Sequence, residues 1–290
     1  MRNRHKITAS VIIIMSLVML LIVFLGKEEE QPTAGFDSHR VVAHAMGGIN
    51  GHPYTNAYEA FVANYEQGTR VFETDLLLTK DDRLVARHEW SGEMSRDLGQ
   101  QDVLPARKQG TVLKYTEFMN SPILDLYSPL DVEKIVELLQ HYPDAYIITD
   151  TKETEPQLVA EQFTLLTEAA VRQDPAILER IIPQIYNQDM LAELQKVHPF
   201  TSVIYTLYES KDNDEQVIEF VKKTGVDITM PVERATKGFV QRLKAAGARV
   251  YVHTVNDEDE IRKLSTLGVD GFYTDFVPEQ ELDNIRGLRR

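Results

Sequence analysis

The sequence predicts an α/β protein: a TIM (β/α)8 barrel preceded by one N-terminal transmembrane helix. Three observations predict it. Short apolar runs rich in β-branched and aromatic residues recur from Val41 onward, segments with helical spacing alternate with them, and a long charge-free stretch precedes them all.

The first element is Ile7 to Leu25, which contains no charged residue and follows Arg2, Arg4 and Lys6. At about 1.5 Å per residue it spans nearly 30 Å, the thickness of a bilayer core. Phe24-Leu25-Gly26-Lys27 offers no small-x-small cleavage site, so residues 1–26 read as an uncleaved anchor rather than a signal peptide. The basic flank stays inside, which makes the expected location the cell membrane, single-pass, with the catalytic domain extracytoplasmic. Residues 27–38 are polar, carry Pro32 and Gly35, and read as a linker.

Residues 39–290 then read as the barrel. Strands are expected at Val41 to Ala45, Val71 to Leu77, Ala145 to Asp150, Ile181 to Tyr186, Ser202 to Thr206, Val226 to Met230, Val250 to Thr254 and Gly271 to Thr274. Helices are expected at Ala57 to Gln67, Asp131 to His141, Glu155 to Gln173, Gln188 to Val197, Asp214 to Thr224, Lys237 to Ala246 and Asp257 to Leu267. Gly247 and Gly268 close two of these helices, as left-handed caps do. No Gly-x-Gly-x-x-Gly follows the first strand, which leaves a dinucleotide-binding sheet unsupported. The stretch 90–130 breaks the rhythm with Pro105, Gly110, Pro122 and Pro129, and reads as a lid-like insertion.

The composition excludes several classes of function. The chain has 31 basic and 45 acidic residues, and removing the anchor leaves 28 basic against 45 acidic. Such a surface repels nucleic acid. With no cysteine there is no disulfide and no thiolate metal site.

His44, Glu73, Asp75 and His88 lie at expected strand ends, where a barrel builds its site. Glu73 and Asp75 are two apart on one strand and leave it on the same side. Asp150 ends the third strand with Lys152 two residues on. Three carboxylates without cysteine favour a hard divalent cation, Ca2+ or Mg2+. Trp90, His253 and Tyr186 sit at or near strand ends and are further candidates for substrate contact, whereas Asn256 and Asp275 read as loop-ordering residues.

The motifs His44-Ala45-Met46-Gly47-Gly48, Phe72-Glu73-Thr74-Asp75, Leu84-Val85-Ala86-Arg87-His88, Val252-His253-Thr254-Val255-Asn256 and Gly268-Val269-Asp270-Gly271-Phe272-Tyr273-Thr274-Asp275 occur in this order. Together they resemble the glycerophosphodiester phosphodiesterase family. The resemblance implies a TIM barrel that hydrolyses glycerophosphodiesters, small or lipid-derived, to glycerol phosphate and an alcohol with a bound divalent cation. It implies His44 and His88 as general base and acid, and Glu73, Asp75 and Asp150 as metal ligands. Lys152 would stabilise charge on phosphorus. The chain departs from the family where an Arg usually follows the first histidine and Ala45 stands instead. The usual Glu-Asn-Thr is Thr55-Asn56-Ala57, the third metal ligand is the shorter Asp150, and a usual Trp is His253. Alternatives are a phospholipase-like lyase or hydrolase acting on lipid head groups or wall polymers, and a binding module without turnover. A glycosidase would leave both histidines and Lys152 unused.

Overall fold

The structure is a computed structural model that describes residues 35–101 and 103–285. The expected anchor, residues 1–26, and most of the linker lie outside the described residues. Among those described, no helix is long and apolar enough to cross a membrane.

All eight expected strands form, and they close into a parallel barrel. We label the strands β1 (Val41–Ala43), β2 (Val71–Leu78), β3 (Leu84–Ala86), β4 (Tyr146–Asp150), β5 (Ile181–Ile185), β6 (Ile204–Thr206), β7 (Asp227–Pro231), β8 (Val250–His253) and β9 (Gly271–Thr274). The sheet runs β1-β9-β8-β7-β6-β5-β4-β2, and β1 pairs in parallel with β2 to close it. The extra strand β3 pairs antiparallel with the end of β2, Leu76 opposite Ala86, and so stands outside the ring.

Alternation along the strands separates two cores. Inward residues Val42, Val71, Ile148, Ile182, Ile204, Tyr251 and Tyr273 fill the barrel as one cluster. The larger cluster, with Val41, Phe72, Ile147 and Ile228 among its members, lies between strands and helices. Barrel strands buried on both faces can afford polar residues only where those residues meet partners or mark a site. In β2, β4 and β9 the inward positions turn from Val71, Tyr146 and Tyr273 to Glu73, Asp75, Asp150 and Asp275 toward the C-terminal ends.

The barrel begins earlier than the sequence suggests. Phe36–Ser38, placed in the linker on polarity, forms a 3-10 turn whose Phe36 ring is buried 6.5 Å from Tyr146 and 6.4 Å from Tyr251 at the lower end of the barrel. One aromatic in a polar stretch gives no periodic signal, yet it plugs that end.

The insertion, residues 90–130, is folded on a core of its own. Leu104, Leu113 and Phe118 bury against Val85 of β3. Arg87 ties it down from beneath, donating to Glu89 O, Gln100 Oε1 and Ser95 Oγ.

Candidate active site

The carboxyl ends of β1, β2, β4 and β9 bring together the residues singled out in the sequence. Glu73, Asp75 and Asp150 each offer an oxygen within 4.8 Å of the others. The parallel register sets this spacing, because Asp75 pairs with Asp150 across β2 and β4. Glu73 Oε2 accepts from the Ala45 amide at 2.7 Å, while Oε1 is buried without a hydrogen-bond partner. Asp75 accepts from Asn56 Nδ2 at 2.8 Å and pairs with Lys152 Nζ at 2.8 Å. Asp150 accepts from the Tyr186 hydroxyl.

This cluster is short of positive charge. Burial, then the neighbouring Asp75, pushes Glu73 well above the usual carboxylate range and Asp150 up to about 7. Burial acts on Asp75 in the same direction, but Lys152, His88 and His44 outweigh it and hold Asp75 below its ordinary value. An orphaned buried oxygen between two further carboxylates, with no sulfur donor at hand, fits a hard divalent cation held by Glu73, Asp75 and Asp150.

His44 does not end β1 as expected but opens a 3-10 turn just past it, because Ala45 (φ 49°) and Met46 (φ 69°) take the left-handed region. Gly47 completes the bend at φ 86°, where a Cβ would lie 2.3 Å from Asn64 Nδ2. The turn aims the Ala45 amide at Glu73 and leaves the Ala45 side chain wholly buried. His44 Nδ1 sits 2.9 Å from Asp275 Oδ1. Burial alone would lower this histidine, but the bond to Asp275 and the charge of Glu73 raise it to about 9. His88 follows β3. Its Nδ1 is buried without a partner, and burial, partly offset by Asp75, lowers its pKa.

Two matched clamps hold the acids in place. Asn56 accepts from Thr74 Oγ1 and from the Asp75 amide, both at 3.1 Å, and donates to Asp75 Oδ2 at 2.8 Å. Asn256 does the same for the second Thr-Asp pair: it accepts from Thr274 Oγ1 at 2.9 Å and the Asp275 amide at 2.8 Å, and donates to Asp275 Oδ2 at 2.7 Å. Asp275 thus orients His44 rather than a loop. The signal for it was in the sequence, as the Thr-Asp pair repeated at the ends of β2 and β9.

Tyr54 was missed altogether. Its ring stands edge-on to both His44 and His88, with centroids 4.8 Å and 5.0 Å away, and its backbone holds φ 59°. A non-glycine residue in the left-handed region is not readable from residue type.

Trp90 belongs elsewhere. Its indole N–H donates to Leu78 O, and its ring packs 5.7 Å from Phe118 and under the Arg87 guanidinium, so it serves the insertion's core rather than the site. Both His88 and Trp90 lie past the end of β3, so strand alternation does not set their relative direction, and the packing of the insertion decides where the indole goes. Tyr186 does reach the site, through Asp150, and His253 lies at the mouth beside Thr229.

The profile of the glycerophosphoryl diester phosphodiesterase family matches residues 47–279. The chain belongs to this family. It is accordingly a phosphoric diester hydrolase. A glycerophosphodiester phosphodiesterase from Bacillus altitudinis is 22% identical over 244 residues, covering 82% of this chain and 94% of that protein. One from Bacillus subtilis strain 168 is 18% identical, covering 94% and 96%. Among solved structures, the Oleispira antarctica phosphodiesterase in complex with the product sn-glycerol-3-phosphate superposes with a TM-score of 0.68 at 19% identity, covering 86% of this chain and 96% of that one. A glycerophosphodiester phosphodiesterase from Parabacteroides distasonis gives 0.69 at 18%, covering 87% and 98%. Similarity at this level establishes the fold.

Proposed function

We propose that the chain hydrolyses a glycerophosphodiester to glycerol phosphate and an alcohol, with His44 and His88 moving the protons and Glu73, Asp75 and Asp150 holding a divalent cation, Ca2+ or Mg2+. The observation that carries this reading is the convergence of two buried carboxylates and the half-buried Asp150, one oxygen of Glu73 unpartnered, on the barrel end where both histidines stand.

A bound cation would supply Lewis acidity to a phosphate oxygen and offset the carboxylates around it. His44 acts as general base. Asp275 fixes its Nδ1–H and leaves Nε2 free to take the proton of the attacking hydroxyl, then stabilises the imidazolium that results. Glu73 is among the groups that hold His44 protonated, so neutralising Glu73 frees His44 for this role. His88 delivers a proton to the departing alkoxide, and the charge of Asp75 partly offsets the burial that disfavours its protonated form. Lys152, its backbone at φ 56° and its ammonium turned onto Asp75, places a positive charge where charge builds on phosphorus.

The family resemblance extends this to the 2-hydroxyl of the substrate as the attacking group, with a cyclic phosphate that water opens. Phosphorus NMR of the reaction separates the outcomes. A phosphomonoester end product supports hydrolysis, while a cyclic phosphate that persists identifies a lyase. His44→Ala and His88→Ala should each cost roughly 10²- to 10⁴-fold in kcat. If diesters bind while both variants match a wild type at background rate, the chain is a binding module and the reading is wrong.

We further propose that residues 1–26 anchor the chain in the cell membrane with the barrel outside, where lipid-derived diesters are at hand. The charge-free Ile7 to Leu25 and its basic flank support this reading.

A further inference from the structure

The barrel mouth holds one histidine that the proton transfers leave unused. His253 ends β8, and its Nδ1 lies 2.8 Å from Thr229 Oγ1. Among the described residues the Thr229 hydroxyl is the ring's hydrogen-bond partner, and a hydroxyl can donate or accept there.

Nε2 of the same ring is buried and has no hydrogen-bond partner. The rings of Tyr208 and Tyr273 flank the imidazole, each centroid 6.1 Å away. Burial, with the charge of His44 acting in the same direction, lowers His253 to about 4, so the ring is neutral at physiological pH and Nε2 has one hydrogen bond to make, as donor or as acceptor. A buried ring nitrogen at the end of a barrel strand beside a diester site, with no partner of its own, is matched by a polar group on the ligand. In a glycerophosphodiester a hydroxyl serves in either sense.

We propose that His253 is a specificity-determining residue whose Nε2 hydrogen-bonds a non-reacting hydroxyl of the bound diester. The proposal deepens the reading above and rests on it for the substrate class. The hydroxyl can belong to the glycerol half or to the alcohol half, and the two are separable by experiment.

The test compares wild type, His253→Phe, His253→Gln and Thr229→Val in the full-length chain, with thermal melts to confirm folding. The diesters are glycerophosphoethanolamine, glycerophosphoglycerol and the phosphoethanolamine diester of propane-1,2-diol, which keeps the attacking hydroxyl and lacks the other. The ratio of kcat/KM on one or both of the first two diesters to that on the third should fall about tenfold in His253→Phe, the usual scale for losing one buried hydrogen bond to substrate. It should recover in part in His253→Gln, which restores a polar partner, and fall less in Thr229→Val, which only frees the ring. A fall with glycerophosphoglycerol alone places the hydroxyl on the alcohol half; equal falls place it on glycerol. Ratios unchanged for both diesters in His253→Phe overturn the proposal, as does a Gln variant no better than Phe. Calorimetry with sn-glycerol 3-phosphate keeps the two readings apart. If wild type turns over no diester, the proposed activity fails, while weaker binding by His253→Phe alone still supports His253 as a hydroxyl-binding residue.

Discussion

At the scale of single residues, the site depends on side chains whose charge is set by their neighbours. His44 is held protonated to about pH 9 in the metal-free protein, against burial, chiefly by Asp275. A folded pKa above the unfolded value of about 6.5 contributes stability that is complete below that value and is lost as pH rises through about 9. Asp275→Asn should therefore move the His44 ring titration, followed by NMR in chelator and assigned through a His44→Gln control, down toward the ordinary range. A His44 titration that stays near 9 would mean Asp275 is not its partner. Asn256→Ala should have the same sign and a smaller size, because Asp275 keeps its bond to His44 but loses the clamp. The carboxylates make a second prediction. Asp150, pushed up to about 7 by burial and Asp75, must lose its proton before it can hold a cation. Cation affinity should then rise as pH increases through about 7, with proton release visible in calorimetry across buffers. Glu73→Gln should abolish the binding. At a cation concentration 100 times its Kd the wild type should gain about 2.7 kcal/mol. That corresponds to roughly 5–10 °C in Tm for a domain of this size.

At the scale of elements, β3 and the insertion behind it depend on one buried cation. Arg87 is 2% exposed and donates only to neutral groups, and Gln100, which receives one of these bonds, itself donates to Ser121 O at 3.1 Å. Burial lowers this guanidinium to about 10. Since His88 is the next residue, Arg87 couples the placement of that histidine to the fold of the insertion. Arg87→Ala should leave Gln100 Oε1 and Ser95 without their donor at a cost of about 2–4 kcal/mol. The loss should be local: hydrogen exchange should speed up across residues 90–130 while the amides of β5 to β8 stay protected. Uniform acceleration through the barrel would show that Arg87 supports the whole fold and not this segment. The helix from Asp214 to Thr224 shows the ordinary end of the scale. Asn213 and Gln216 form a reciprocal capping box at its start, and Asn213→Ala should cost about 1 kcal/mol with no effect on activity.

At the scale of the whole molecule, the proposed anchor would make this a single-pass protein with its catalytic end outside the cytoplasm. Full-length chain should sediment with membranes, and protease added to intact cells should reach residues beyond 35. A chain found wholly in the soluble cytoplasmic fraction would sink that reading. Eight strands, seven helices and the acidic triad were legible in the sequence, because two-residue alternation, 3.6-residue spacing and carboxylates at strand ends are local patterns. Glu73, Asp75 and Asp150 could be grouped without a structure, since a parallel barrel gathers strand ends at one face. Tyr54, the pairing of Asp275 with His44 and the retreat of Trp90 into the insertion could not. Each depends on where a loop places a side chain relative to residues far away in the chain, and no local period encodes that. The unpartnered Nε2 of His253 belongs with them, as it depends on how β7 and β8 set His253 beside Thr229. The sequence by itself thus determined the barrel, the acids and the two histidines. Only the closed barrel decided which partners orient them, because orientation comes from contacts between strands that lie adjacent in space and distant in sequence.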